Sequence, residues 1–167
     1  MQGAGIGGAG RIVAVDMVPE KLESAKELGA TDAVLASDGT PWRLAKEALG
    51  GRGADAVLVT VGSSRAYDEA PKYLAYGGKV IMVGMPKSDE TSTYAPVMMA
   101  SVGQGMVGSK MGDVVIKRDI PWMVDLYQQG RLKLDELISG RWSLDQINEA
   151  IQDTKTGSAK RNVIIFK

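Results

Sequence analysis

Neither cysteine nor histidine occurs among the 167 residues, and those two gaps remove more chemistry than any motif in the chain supplies. Without cysteine there is no disulfide, no thiolate nucleophile and no thiolate metal ligand. Without histidine a serine triad or a cysteine and histidine pair lacks its base. A zinc ion would then have to rest on carboxylates alone, which is not its usual donor set. An excess of one charge is missing too: 20 basic and 20 acidic residues cancel, so no overall field favours nucleic acid or an anionic membrane. No apolar run approaches the roughly 18 residues that span a bilayer. The composition predicts a cytoplasmic domain with neither a nucleic acid nor a membrane as partner, and its nine methionines read as core filler.

What is present is concentrated near the start. Ile12, Val13 and Val15 form a short apolar strand that ends on the carboxylate of Asp16. An amphipathic helix follows, opened by Pro19, closed by Gly29 and carrying Leu22, Ala25 and Leu28 on one face. An acid at such a corner is placed to accept hydrogen bonds from the two ribose hydroxyls of a dinucleotide. Aspartate also favours turns and helix starts for purely local reasons, so an ordinary strand end explains the same residue. Gly5-Ile-Gly7-Gly8-Ala9-Gly10 spells Gly-x-Gly-x-x-Gly, but that motif cradles phosphate only between a preceding strand and a following helix. Here a strand follows it, and in a chain with 21 glycines we read the match as chance.

Further along, residues 33–36 predict a strand and Thr40-Pro41 starts a helix that Gly50-Gly51 stops. The apolar runs at 56–61 and 79–83 fit parallel strands covered on both faces. Pro71 lies between them and predicts a break or a fresh start in the intervening helix. A polar loop over 85–94, a short helix from Pro96 and a glycine-rich strand over 105–109 come next. The remainder reads as mostly helical, with Ile120, Met123, Val124 and Tyr127 at helical spacing and a Ser143/Gln146 capping box. A closing strand is expected at 163–166. The alternation predicts an α/β doubly wound sheet.

The wording itself carries a resemblance. Arg11-Ile-Val-Ala-Val-Asp16 with Lys21 and Leu28-Gly-Ala-Thr31 is followed by Gly53-Ala-Asp55 with Val61-Gly62, then Gly77-Gly-Lys-Val80 with Val83-Gly84. Gly108-Ser-Lys-Met-Gly112, Gly130-Arg-Leu-Lys-Leu-Asp-Glu-Leu-Ile138, Leu144-Asp-Gln-Ile-Asn-Glu-Ala150 and Arg161-Asn-Val-Ile-Ile-Phe166 complete the series. In that order they resemble the coenzyme-binding part of zinc-dependent medium-chain alcohol dehydrogenases, especially class III-like bacterial members, over essentially the whole chain.

That resemblance implies an incomplete Rossmann parallel sheet. The family's first strand and phosphate-binding turn would align upstream of residue 1, and residues 1–8 with the helix that follows the turn. Glycine weakens such a helix, so the first ten residues are expected to be poorly ordered unless something packs on them. Residues 1–112 would be the NAD-binding domain, and 113–167 the segment that packs on the family's catalytic domain. By resemblance Asp16 takes the adenosine ribose hydroxyls and Lys21 lies over that ribose, although a lysine there also serves as a solvated helix face. Val61, Gly62, Gly84 and Met85 end strands beside the nicotinamide half, and Arg161 reaches the pyrophosphate, with Lys160 beside it. Met17 after Asp16, in place of an arginine, favours NAD over NADP.

Zinc belongs to the family, but nothing here matches its ligands or proton relay, and we assign no catalytic residue. The substrate of the full enzyme would be an alcohol or aldehyde. Two further readings stay open, a non-catalytic fragment that persists by self-association and another Rossmann-like nucleotide-binding protein such as a methyltransferase. With a central strand missing, the chain is expected to form a homo-oligomer through the Met106-Val107 edge or the C-terminal strand. The alternative for that edge is a strand that Lys110 protects from pairing.

Overall fold

In the computed structural model, which describes residues 1–157 and 159–166, three small parallel sheets replace one continuous sheet. The chain runs α1 (Gln2–Ile6), β1 (Val13–Asp16), α2 (Pro19–Glu27), β2 (Asp32–Leu35), α3 (Pro41–Ala48), β3 (Ala54–Val59), α4 (Ser64–Tyr73) and β4 (Leu74–Met82). It continues through α5 (Pro96–Ser101), β5 (Gly105–Gly108), α6 (Ile116–Gln128), β6 (Ile138–Trp142), α7 (Ile147–Thr156) and β7 (Arg161–Ile164), with short 3-10 turns in the second half. Among the described residues strand β1 pairs only with β2, β3 pairs with β4 and β4 with β5, and β6 pairs with β7, all in parallel.

The break between β1 and β3 falls where the sequence predicts a missing strand. Helix α2 packs on β1 and β2, α3 on the same strands and on α4, and α4 on β3 and β4. A helical layer therefore bridges the two sheets although no ladder does. Alternation along β3 and β4 sets the main core: Val59 and Val80 face Tyr67 and Ala70 of α4, with Leu74 closing the cluster. Leu58, on the other face of β3, is 56% exposed. A continuous apolar run predicts cover on both faces, and only one face has it.

Local rules account for the helices. Proline occupies the first turn of α2, α3 and α5, where its missing N–H costs nothing. Gly29 takes φ +103 just past α2, a left-handed conformation that ends the helix. The strand expected at 33–36 begins one residue earlier.

Other expectations need correction. Pro71 does not break α4; it sits in the last turn, two residues before the helix ends, so little hydrogen bonding is lost. The closing strand is β7, Arg161–Ile164, shifted toward the N-terminus of the expected range, although the Ile165 amide still donates to the Trp142 carbonyl at 2.8 Å. Its partner β6 was not expected in a segment read as mostly helical; together with α7, which packs on both strands, it makes a small βαβ unit. The capping box forms at Ser143 and Gln146, ahead of a 3-10 turn that leads into α7. At the N-terminus something does pack on the glycine-rich start. Gln2 donates through Nε2 to the Lys133 carbonyl (2.8 Å) and accepts through Oε1 from its amide (2.6 Å), so α1 forms. Gly5 lies within α1, and the glycine run leads out of a helix into a strand, the reverse of a phosphate-binding turn.

Candidate functional site

Asp16 closes β1 beside Leu35 of β2. Its Oδ1 accepts a hydrogen bond from the Val18 amide at 3.0 Å, and its carbonyl accepts one from Ala36 at 2.8 Å. The first of these is the local turn role that aspartate plays at strand ends. The carboxylate is partly exposed, and no hydrogen bond or ion pair to Oδ2 occurs among the described residues. Turn and ligand roles are thus compatible, because the turn orients the group and leaves one oxygen open. Lys21 is exposed on α2, and its Nζ lies 3.9 Å from where a Cβ on Gly157 would stand. Met17 is exposed beside Asp16.

A second cluster stands at the carboxyl ends of β3 and β4, where open α/β sheets hold their ligands. The amides of Val83 and Gly84 both donate to the Val59 carbonyl, at 3.1 and 2.8 Å. Beyond them Val61-Gly62 and Gly84-Met85 lie backbone against backbone. A Cβ on Gly84 would stand 2.6 Å from the Val61 nitrogen and collide with its carbonyl; one on Gly62 would collide with the Met85 carbonyl. Both glycines are therefore required by this crossing of chains, whatever binds there. Tyr67 donates through its hydroxyl to the Gly84 carbonyl, and burial raises the Tyr67 pKa above its ordinary value. Met85 projects outward, 89% exposed.

Arg161 stands elsewhere. Its backbone is tied to Ser139 Oγ, which donates to its carbonyl (3.2 Å) and accepts from its amide (3.2 Å). It lines a cleft of about 370 Å³ with Leu134, Leu137, Ile138 and Val163, and neither Asp16 nor the ends of β3 and β4 share that cleft. Lys160 makes an ion pair with Glu27 of α2 at 3.8 Å. The expected site residues are thus spread over the fold: Asp16 at the end of β1, Lys21 on α2 near Gly157, the Val61 to Met85 crossing, and Arg161 in its own cleft.

Sequence reasoning missed Asp68, one residue after Tyr67 on α4. Its Oδ1 accepts from Ser92 Oγ and from the Thr93 amide, each at 2.6 Å. These hydrogen bonds hold its pKa below the ordinary carboxylate value, the Ser92 hydroxyl contributing most. The signal was out of reach in the sequence, because acceptor and donors are more than twenty positions apart. For zinc the chain's residues do not fit: it has no cysteine or histidine, and among the described residues no three carboxylates gather to hold a metal ion. No helix among them is long and apolar enough to cross a membrane.

Parallel strands with helical crossovers, an acid at one strand end and a glycine crossing at two others define a Rossmann-like α/β class. The family model described as zinc-binding dehydrogenase matches residues 1–129, and the chain belongs to that family. NDMA-dependent alcohol dehydrogenase of Amycolatopsis methanolica is 34% identical over 168 aligned positions, which cover 99% of this chain and 45% of the relative. Benzyl alcohol dehydrogenase of Acinetobacter calcoaceticus superposes with a TM-score of 0.93 at 31% identity, covering 99% of this chain and 45% of that one. An alcohol dehydrogenase zinc-binding domain protein of Burkholderia ambifaria gives a TM-score of 0.94, also at 31% identity, over 99% of this chain and 44% of that one. The chain spans less than half the length of these relatives.

Proposed function

We propose that this chain is the coenzyme-binding part of a cytoplasmic, NAD-dependent alcohol dehydrogenase of the zinc family, acting on an alcohol or aldehyde. The observation that carries the proposal is Asp16, held at the end of β1 by the Val18 amide with one carboxylate oxygen left open. That oxygen and its neighbour would accept hydrogen bonds from the adenosine ribose hydroxyls, with Lys21 over the same ribose. Met17 offers no guanidinium for a 2′-phosphate, which favours NAD over NADP. Val61, Gly62, Gly84 and Met85 would present backbone to the nicotinamide half, and Arg161 would meet the pyrophosphate through its guanidinium. When bound, the nicotinamide accepts or donates the hydride. No residue here is assigned to catalysis, and no step is derived through zinc, whose ligands this chain does not supply.

Residues 1–112 would form the coenzyme domain, and 113–167 a segment that packs on a catalytic domain. The open edges of β1 and β3 favour a second reading of the same chain as a module that persists by self-association, through the Met106-Val107 edge or β7.

Calorimetry with NAD tests the first reading. The described residues place no helix N-terminus after a glycine turn at the pyrophosphate position, so its backbone donors and dipole are missing. Affinity is therefore expected to be no better than roughly millimolar, about 4 kcal/mol. Asp16→Ala should abolish what remains. Micromolar binding that Asp16→Ala leaves unchanged would refute both the site and the reasoning.

A further inference from the structure

Two consecutive residues of α4 hold both ends of the loop that joins β4 to α5. At its start the Tyr67 hydroxyl donates to the Gly84 carbonyl, from a ring packed in the core cluster with Val59, Leu74 and Val80. At its far end Asp68 Oδ1 accepts from Ser92 Oγ and the Thr93 amide at 2.6 Å, and Ser92 Oγ lies 3.4 Å from the Ser64 carbonyl at the start of the same helix. Between these anchors, residues 86–91 carry one backbone turn, from the Glu90 amide to the Lys87 carbonyl at 3.1 Å. Residues 88–95 are exposed. A segment with so few bonds of its own takes its shape from the places where it is tied.

We infer that Asp68 is a positioning residue for the nicotinamide end of the site: with Tyr67 it fixes the β4 to α5 loop, and through it the angle at which Gly84-Met85 crosses Val61-Gly62. This inference rests on the proposed coenzyme role of that crossing. The physical reason is leverage. The glycine crossing leaves no room for a Cβ on either chain, so a small change in the angle of the Gly84-Met85 chain is felt by Val61-Gly62, and the loop begins directly after it at Pro86. Tyr67 is committed to the core and cannot adjust without disturbing it. Asp68 is at the surface, so its contact is the one that a substitution can release without unfolding α4.

The division of the ligand supplies the test. ADP-ribose retains the adenosine, pyrophosphate and second ribose but lacks the nicotinamide, whereas NADH has all four parts. Asp68→Ala is expected to speed exchange of the Thr93 and Glu90 amides, the hydrogen-bonded ones in residues 86–93, by at least about fivefold, while protection in β3 and β4 is retained. The same variant should weaken NADH by at least about threefold and leave ADP-ribose within error of the parent, both followed by ligand-observed NMR at millimolar concentration, and Asp68→Asn, which keeps an acceptor oxygen, should fall between. Unchanged exchange of the Thr93 and Glu90 amides in Asp68→Ala would overturn the anchoring. Parallel losses for NADH and ADP-ribose, or no loss for either, would overturn the positioning role. Should the parent bind neither ligand, the coenzyme reading fails, and the positioning role fails with it; the exchange data then stand only for a structural tie.

Discussion

The stretch from β3 to β5, with helices α4 and α5, and the segment from α6 to β7 contain similar amounts of regular structure but bury very different amounts of side chain. In the first, Leu74 and Val80 are 1% and 0% exposed and pack with Val59, Tyr67 and Ala70. In the second, Leu126 and Ala150 are the buried residues among those described, while Val115, Ile116, Ile120, Trp122, Leu144 and Ile151 are exposed and Phe166 is 76% exposed. Secondary structure alone therefore does not measure how far a region can stand by itself. A βαβ unit such as β6, α7 and β7 satisfies its backbone, yet hydrophobic burial supplies most of the free energy that offsets chain entropy. Apolar exposure on this scale fits a surface that another body covers.

The largest expected effect concerns the whole assembly. Strands β1 and β3 each have one paired edge and one open edge, and each buried unsatisfied backbone group costs on the order of 1 to 3 kcal/mol. Together with the uncovered apolar face of the second half, this predicts that the 167-residue chain sediments as an oligomer at low micromolar concentration. A compact monomer that unfolds cooperatively would break the comparison at its root, because it would mean that the exposed half needs no cover.

Next in size is a pair of truncations that places a number on each half. Leu74→Ala is expected to cost about 2 to 5 kcal/mol in chemical denaturation, the usual range for emptying a filled core position. Ile120→Ala, on the exposed face of α6, should stay within about 0.5 kcal/mol in a monomer. A cost for Ile120→Ala above about 1 kcal/mol that also falls on dilution would show that a second copy covers α6 in solution.

The same contrast explains what could be read in advance. Helices α2 and α3 were legible because Pro19, Gly29, Pro41 and Gly50-Gly51 punctuate them, and proline and glycine act through their own backbone geometry. The end of β1 at Asp16 was legible because a carboxylate closes its apolar run, whereas the runs at 56–61 and 79–83 located β3 and β4 but not their bounds, which fall at Ala54–Val59 and Leu74–Met82. Strand β6 was not: Ile138-Ser-Gly-Arg-Trp142 has a serine, a glycine and an arginine between its apolar ends, and it becomes a strand only by pairing with β7. Within the site, Asp16 and the two glycine pairs stood out through type and position. Neither the reason for Gly62 and Gly84 nor the role of Asp68 did, since both depend on contacts between residues distant in sequence.

The smallest effect separates two surface carboxylates, one from each half. Asp68 and Asp119 both have pKa values below the ordinary 3.8, Asp68 mainly through the Ser92 hydroxyl and Asp119 mainly through Arg118, aided by the Val115 amide. A depressed carboxylate stabilises the folded form fully at pH values above its unfolded value, and that contribution is lost as pH falls through the lower, folded value. Both anchors should therefore hold from neutrality down to about pH 4 and fail below it, the Asp68 loop and the start of α6 loosening together. Salt should tell them apart. Arg118 approaches Asp119 as an ion pair at 2.6 Å in solvent, which mobile ions screen, whereas Ser92 and Thr93 are neutral donors and only Lys72 contributes charge at Asp68. Carboxyl-carbon NMR titration in low and high salt is expected to move the Asp119 midpoint up toward 3.8 more than that of Asp68. Equal movement of the two would mean that the loop tie at Asp68 is held chiefly by charge, and that the two halves anchor their surface segments by the same means.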